Sequence, residues 1–321
     1  MASFIQRMRA PKAPVQHQYV RVEYTNVPVE IPEDFLAPLP DPSIIKVSKI
    51  DFENSPLPEY KLNYAVVLDN VLSKEECDQL LVMAEKSVGA HRGGDEPENN
   101  GWRPAMVNAG RSYEVLALDY RNSDRIIWDS QEIAQRLWDR VMQAEGMREY
   151  FSVLQGEEYE AACGESVYGG ERWKVTRQGL NDRLRFLKYV PGQFFKKHCD
   201  GSYETPDGSK KSFYTYHLYL NDSAQALGIP KSSAKGKQNN EQEVLLRGGA
   251  TTFHSANMKR RLDVDPKIGR VLIFQHRRLL HSGDEVSAGI KYTMRSDVMF
   301  EYDGLNAEVD ADGDINIDLQ L

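Results

Sequence analysis

From about residue 183, the chain runs through short β-type segments that are separated by turn-forming residues. The segments read "RLRFLKYV", "SFYTYHLYLN", "GGATTFH", "RVLIFQ" and "IKYTMRSDVMFEY". Pro191-Gly192, Gly248-Gly249 and Gly283 are among the turn signals between them. Several short strands with such turns are typical of a β-sandwich or a barrel. The second half of the chain is therefore predicted to be mainly β.

The stretch "KHCDG" follows the first of these turns and places His198 and Asp200 two residues apart. Residues i and i+2 of an extended segment point to the same side, so both side chains can reach one metal ion. The pair alone is weak evidence, because about 0.5 such pairs are expected by chance in this composition. A second histidine would complete a two-His, one-carboxylate triad, which suits a non-haem Fe(II) oxygenase.

Four histidines downstream are candidates for the third ligand: His217, His254, His276 and His281. His281 is preferred, because it follows the apolar segment "RVLIF" by a loop and precedes the next strand. His217 is expected to be a hydrogen-bonded core residue. His254 and His276 are expected to lie in loops or on the surface, and each remains an alternative ligand.

Taken together, His198-x-Asp200, His281 and Lys291, ten positions later, resemble the 2-oxoglutarate- and Fe(II)-dependent dioxygenases, in particular the prolyl 4-hydroxylase-like branch. The resemblance covers residues 183–302 and includes "YVPGQFFKKHCDG", "LYLN", "GGATTF" and "GRVLIFQH". It implies a double-stranded β-helix, or jelly roll, with Fe(II) held by His198, Asp200 and His281 at its open mouth. It also implies 2-oxoglutarate and O2 as cosubstrates.

The resemblance further implies which residues bind 2-oxoglutarate. Lys291 is the preferred cation for its far carboxylate, and Arg295 is the alternative, since a planar guanidinium is the better bidentate partner. Tyr189 and Tyr219 match family tyrosines that hydrogen-bond 2-oxoglutarate. Thr251 is expected to face the same cavity.

Strand parity adds one candidate for the substrate. If Lys291 points into the barrel, so do Thr293, Arg295 and Asp297, because alternate residues of a strand share a face. By the same rule, Arg185 points into the barrel if Tyr189 does. A buried arginine needs an anion, so Arg185 either binds substrate or forms a structural ion pair.

The rest of the chain is predicted to support this core. Residues 1–60 are predicted to form an extended arm, 61–182 a helix-rich support region, 183–302 the catalytic core and 303–321 an acidic tail. Ser73 and Glu76 form a capping-box signal for a helix, and a second helix is predicted to start near Asp129. The fold class is thus α+β, mainly β, with a jelly-roll core buttressed by N-terminal helices.

Two polar segments receive separate predictions. The segment at 222–247 has a length that is typical of a lid, a binding loop or disorder. Our hypothesis is that this segment and the arm before residue 60 cover the mouth of the site. In the tail, Asp310, Asp312 and Asp314 resemble the start of a calcium loop, but the required Gly and final Glu are missing. The tail is therefore predicted to be solvated.

Composition limits the possible partners. The chain of 321 residues has 40 Lys and Arg against 48 Asp and Glu, a formal net charge of −8. This balance predicts no binding to nucleic acid or to an anionic membrane. The N-terminus lacks the apolar stretch of a secretory signal, and the three cysteines form no disulfide framework. The predicted location is the cytoplasm or the nucleus, and the oligomeric state is unknown.

The predicted function is oxidation, most simply hydroxylation, of an unactivated C–H bond, coupled to decarboxylation of 2-oxoglutarate to succinate and CO2. The substrate is predicted to be a small molecule or an amino acid. The first alternative is a prolyl or other side-chain hydroxylase that acts on a protein. The second alternative is a jelly-roll module that binds without turnover.

Overall fold

The computed structural model describes residues 19–22, 24–89, 101–108, 110, 113–163, 171–230 and 244–305, together with two short strands at 308–309 and 315–316. The first 18 residues, the middle of the polar loop at 231–243, and Asp310, Asp312 and Asp314 lie outside these ranges. The predictions of an extended N-terminal arm, a lid and a solvated tail therefore stay predictions for those residues.

Four α-helices occur in the described residues. They are α1 (Lys74–Ser87), α2 (Gln131–Val141), α3 (Met147–Phe151) and α4 (Gly156–Cys163), and single 3₁₀ turns lie at Pro42–Ile44 and Pro58–Tyr60. The predicted capping box is present, because Ser73 and Glu76 each accept from the other's backbone N–H at the start of α1. Ser130 caps α2 with its hydroxyl.

The strands before the predicted core are β1 (Tyr19–Arg21), β2 (Lys46–Lys49), β3 (Ala65–Asp69), β4 (Arg103–Pro104), β5 (Val107–Asn108), β6 (Tyr113–Val115), β7 (Arg121–Asn122), β8 (Asp124–Asp129), β9 (Val153–Leu154) and β10 (Glu171–Leu180). From residue 183 they are β11 (Arg183–Tyr189), β12 (Phe194–His198), β13 (Lys210–Tyr219), β14 (Arg247–Gly248), β15 (Thr251–His254), β16 (Arg261–Val264), β17 (Val271–Gln275), β18 (His281–Gly283), β19 (Val286–Ala288), β20 (Lys291–Leu305), β21 (Glu308–Val309) and β22 (Ile315–Asn316).

Two antiparallel sheets form the core. The larger sheet runs β2-β3-β17-β13-β20-β11-β8-β4, with β10 and β9 added beside β20, and the smaller runs β16-β15-β18-β12-β7. Phe253 and Val264 of the smaller sheet pack in one apolar cluster with Tyr219, Leu272 and Phe274 of the larger. The two sheets therefore face each other across a shared interior, as in a jelly roll, and the predicted mainly β fold is confirmed.

The helices cover the opposite face of the larger sheet. Leu80 of α1 and Leu137 of α2 are fully buried in a cluster that includes Phe186 of β11 and Met294 of β20. On β20, the even-numbered residues thus point to the helices. The odd-numbered residues point into the space between the sheets, because side chains alternate along a strand. The helices buttress the sheet as predicted.

The region before residue 183 also contributes strands to the core sheets. β3 pairs with β17, and β8 pairs with β11, so the predicted support region and the predicted core share one sheet. The described part of the arm packs onto this body: Phe52 and Leu57 are buried in the cluster between the sheets, and the Tyr60 hydroxyl donates to the backbone oxygen of His254. The proposed division at residue 183 stays a prediction.

Candidate active site

The first two site residues lie on neighbouring strands of the smaller sheet. β12 pairs with β18 so that His198 and His281 are direct cross-strand partners. Their ring centroids are 4.3 Å apart. The register of β12 shifts between Phe195 and His198, and such bulges re-aim side chains near active sites.

Asp200 is the third residue of this cluster. Its Oδ1 lies 3.5 Å from His198 Nε2, and its Oδ2 lies 3.7 Å from His281 Nε2. One ligand atom from each of the three residues falls within 4.8 Å of the other two. Among the described residues, His198, Asp200 and His281 are the one cluster of three or more His, Cys, Asp or Glu side chains that is close enough to hold a metal ion. The structure thus brings together the three residues predicted to bind iron.

Hydrogen bonds orient both imidazoles toward this centre. The Nδ1 of His198 lies 2.7 Å from the backbone oxygen of Lys196, and the Nδ1 of His281 lies 3.0 Å from that of Leu279. A carbonyl oxygen only accepts, so each Nδ1 carries the proton and donates it. Each Nε2 then keeps a free lone pair for a metal. Burial also lowers the pKa of His281 to about 3 and holds the ring neutral.

The carboxylate of Asp200 is held ionised. Burial by itself would raise the pKa of Asp200, but the nearby charge of Arg295 outweighs it, so the pKa lies well below its usual range. Arg295 Nη2 lies 3.1 Å from Oδ1, and the Thr215 hydroxyl donates to Oδ2 at 2.5 Å. Two imidazoles whose Nε2 atoms face one centre and one supported carboxylate are the donor set of a facial Fe(II) site, so the residues present fit the metal.

The triad opens into a pocket between the two sheets. Lys291 lies in its wall and is only 2 % exposed. Among the described residues, its ammonium has no hydrogen-bond partner and no ion-pair partner. Its Nζ lies 5.1 Å from the ring centre of Tyr189 and 5.8 Å from that of Tyr219. Burial lowers the pKa of Lys291 to about 8. A buried cation without a protein counter-ion is suited to an anionic ligand.

Arg295 lines the same pocket but is already paired. Its Nη2 contacts Asp200, as above, and lies 3.5 Å from Asp297 Oδ1. Asp297 in turn receives Arg185 Nη1 at 3.0 Å. We call Arg185, Arg295, Asp200 and Asp297 the arginine–aspartate network. Arg185 is the direct cross-strand partner of Arg295, and the network gives it the structural ion pair that was one of its two predicted roles.

The predicted cosubstrate residues lie around Lys291. Tyr189 is buried, lines the pocket, and is the cross-strand partner of Lys291. Thr251 also lines the pocket, and its hydroxyl accepts a 2.7 Å hydrogen bond from the Tyr219 hydroxyl. Tyr219 therefore stands behind Thr251 and fixes its position.

Three other histidines depart from the sequence-based expectations. His254 and His276 are buried at 6 % and 0 % exposure, where loop or surface positions were expected, because β15 and β17 carry them into the body of the fold. His254 Nε2 lies 2.8 Å from the Ser282 hydroxyl. His217 lines the pocket, and its Nε2 has no hydrogen-bond partner among the described residues. The expected hydrogen bond of a core histidine is thus missing at that atom.

One charged pocket residue was missed from the sequence. Arg121 of β7 lines the pocket beside Phe195 and His198 and is 8 % exposed. β7 has only two residues, which is too short for strand periodicity to be recognised. Its pairing with β12 could not be predicted from the run "DYRNSDRIIWD".

A family model described as the 2OG-Fe(II) oxygenase superfamily matches residues 184–296. This stretch contains the three clustered ligands and Lys291. Residues 184–296 are a 2OG-Fe(II) oxygenase domain. The predicted superfamily is confirmed. The cofactor and cosubstrates of this domain are Fe(II), 2-oxoglutarate and O2, and the chain is an oxidoreductase.

Solved structures similar to the chain include three prolyl hydroxylases. The prolyl-4-hydroxylase of Pseudomonas putida is 14 % identical, with 77 % of this chain and 95 % of that chain covered and a TM-score of 0.40. The prolyl hydroxylase of Trichoplax adhaerens, in complex with a hypoxia inducible factor peptide fragment, is 13 % identical, with 79 % and 86 % covered and a TM-score of 0.43. The viral collagen prolyl hydroxylase of Paramecium Bursaria Chlorella virus-1, a 2OG complex, is 17 % identical, with 74 % and 96 % covered and a TM-score of 0.37.

No curated protein matches the sequence. Among the described residues, no helix combines the length and apolar character needed to cross a membrane.

Proposed function

We propose that this chain oxidises, and most simply hydroxylates, an unactivated C–H bond of a small molecule or amino acid. Oxidative decarboxylation of 2-oxoglutarate to succinate and CO2 accompanies the reaction. One observation carries the proposal: a two-His, one-carboxylate cluster lines the same pocket as the cation of Lys291, which has no counter-ion among the described residues. Fe(II) and a dicarboxylate are the ligands that these two features fit.

Each residue has a role in this proposal. His198, Asp200 and His281 hold Fe(II), which when bound supplies the chemistry that activates O2. Lys291 binds the far carboxylate of 2-oxoglutarate, and Thr251 offers it a hydroxyl. We favour Lys291 over Arg295 for this role because Arg295 is neutralised by two aspartates, whereas Lys291 has no counter-ion among the described residues.

The lining of the pocket favours a small substrate. Residues of both sheets contribute to it, and the same space must hold the cosubstrate as well. Leu187, Phe195 and Phe274 give the pocket apolar walls, which suit a compact organic molecule. A side chain of a protein substrate is the alternative occupant.

Anaerobic titration with Fe(II) and 2-oxoglutarate, followed by visible absorption, tests the site. We expect a metal-to-ligand charge-transfer band, and a wild-type protein without one contradicts the proposed function. Succinate release is then measured with a pool of small metabolites and with a pool of peptides. Stimulation by the metabolites supports the proposed substrate class, whereas stimulation by peptides alone transfers the activity to the protein-hydroxylase alternative.

A further inference from the structure

Arg121 is a buried cation to which the proposed function assigns no role. Its side chain is more than nine-tenths buried, and burial lowers its pKa to about 10, so it stays charged at neutral pH. Within the described ranges its guanidinium makes no hydrogen bond and no ion pair, and its Nε is a buried donor without a partner. A charged guanidinium in this state is costly unless an anion joins it.

The position of Arg121 places that anion in the active site. β7 pairs with β12 so that Arg121 and Phe195 are direct partners. The guanidinium carbon lies 4.7 Å from the centre of the Phe195 ring, and the other neighbour of this ring is His198, stacked at 3.8 Å between centroids. Arg121 is thus one aromatic ring away from an iron ligand, on the edge strand of the smaller sheet. Lys291 lies on the larger sheet.

Charge balance argues for a ligand beyond 2-oxoglutarate. The four formal charges of the arginine–aspartate network cancel. Fe(II) and Lys291 bring three positive charges, and 2-oxoglutarate brings two negative charges. One positive charge remains before Arg121 is counted, and Arg121 adds a second. A pocket loaded with both metal and cosubstrate therefore still attracts an anion.

We propose that Arg121 binds the carboxylate of the primary substrate, which is therefore a small carboxylic acid, amino acids included. This inference rests on the proposed function, since it assigns Lys291 and the metal to 2-oxoglutarate. The planar guanidinium donates two parallel hydrogen bonds to the carboxylate. The ring of Phe195 then separates the anchored carboxylate from the metal ligands, so that oxidation falls on a carbon away from the carboxylate. Arg121 is a substrate-binding residue distinct from Arg185.

The test uses the full chain loaded with Fe(II) and saturating 2-oxoglutarate. Succinate release is measured with a pool of small carboxylic acids that includes the free L-amino acids, and with the matched pool of their carboxamides, which lack the negative charge. We expect the acids to stimulate wild-type turnover and the carboxamides to fail. In Arg121→Met, kcat/KM for the stimulating acid is expected to fall by about tenfold or more, because hydrogen bonds to a charged group are lost. Arg121→Lys is expected to recover part of that loss.

Arg177→Met is the matched control, because Arg177 is an exposed arginine of β10 outside the pocket, and it is expected to behave as wild type. The inference would be overturned by any of three results. These are carboxamides that stimulate succinate release as strongly as the acids, an Arg121→Met protein with wild-type kcat/KM, and no stimulation by any acid. If Arg121→Met does not fold, Arg121→Lys and the acid–amide comparison in the wild type decide it. A missing charge-transfer band in the wild type would instead count against the proposed function, so the two failures are distinguishable.

Discussion

His198 and His281 face each other as direct partners across the antiparallel pair of β12 and β18. The two imidazoles belong to residues far apart in sequence, and a single strand pairing sets their separation. A shift of one residue in this pairing would turn one imidazole to the other face of the sheet. The metal site is therefore as well defined as the register of the smaller sheet.

The first prediction concerns the ligands. His281→Gln is expected to abolish the 2-oxoglutarate-dependent charge-transfer band in an anaerobic Fe(II) titration, because an amide replaces a neutral imidazole nitrogen. His254→Gln is the matched control. His254 is also a buried histidine of the smaller sheet, but its Nε2 bonds to Ser282. A band that survives in His281→Gln, or disappears equally in both variants, would refute His281 as a ligand.

The second prediction separates the two candidate cations. Lys291→Met is expected to raise KM for 2-oxoglutarate by about thirtyfold or more, since losing one member of a buried charge pair costs about 2–5 kcal/mol. Lys188→Met is the control. Lys188 precedes Tyr189 on β11 and extends over the Trp102 ring, away from the pocket. If Arg295→Met impairs 2-oxoglutarate binding and Lys291→Met does not, Arg295 is the cosubstrate cation.

The third prediction concerns pH. Burial lowers the pKa of Lys291 to about 8, with Asp284 acting in the opposite direction. Tyr189 and Tyr219, which face Lys291, have raised pKa values for the same reason, burial, and stay neutral. Lys291 is charged below pH 8 and loses its charge above it. Affinity for dianionic 2-oxoglutarate is therefore expected to fall about tenfold per pH unit above 8.

Binding constants measured from pH 6.5 to 9.5 check this dependence. Lys291→Arg keeps its charge throughout this range, so its affinity should stay flat at the alkaline end. An equal alkaline loss in both proteins would show that another group is responsible.

The fourth prediction concerns stability. Asp297→Asn is expected to lower the free energy of unfolding by about 3–5 kcal/mol, because it leaves Arg185 with no buried counter-ion. Asp129→Asn breaks an arginine–aspartate pair of similar length with Arg183, but that pair is more than one-third exposed. Its cost is expected to be about 0–1 kcal/mol. Urea denaturation compares the two variants, and equal losses would contradict a supporting role for the network.

Strand periodicity allowed the inward face of β20 to be predicted from sequence. Side chains alternate along a strand, so placing Lys291 inward also placed Thr293, Arg295 and Asp297, and all four have inward, odd-numbered positions on β20. Short-range signals likewise located α1, because a capping box involves residues only three positions apart. These predictions needed no knowledge of which strands pair.

The remaining features depend on pairing between distant segments. Arg121 enters the pocket because β7 pairs with β12, and two residues carry no periodic signal. The contact of Arg185 with Asp297 depends on the register of β11 against β20. This register could not be predicted from the sequence, so two roles stayed open for Arg185. Nothing in the structure explains the exposed thiol of Cys199 between two site residues.

The pairing of β20 has a consequence for the order in which the site is assembled during synthesis. β20 is the last core strand along the chain, yet it lies in the middle of the larger sheet, between β11 and β13. A nascent chain that has emerged only as far as residue 290 already contains all three metal ligands. It has no Lys291, and the edges of β11 and β13 are unpaired, so they are exposed to other chains. Lys291 is the first residue of β20, the strand that pairs with both β11 and β13. The cosubstrate site therefore forms only when β20 has been inserted between these two strands.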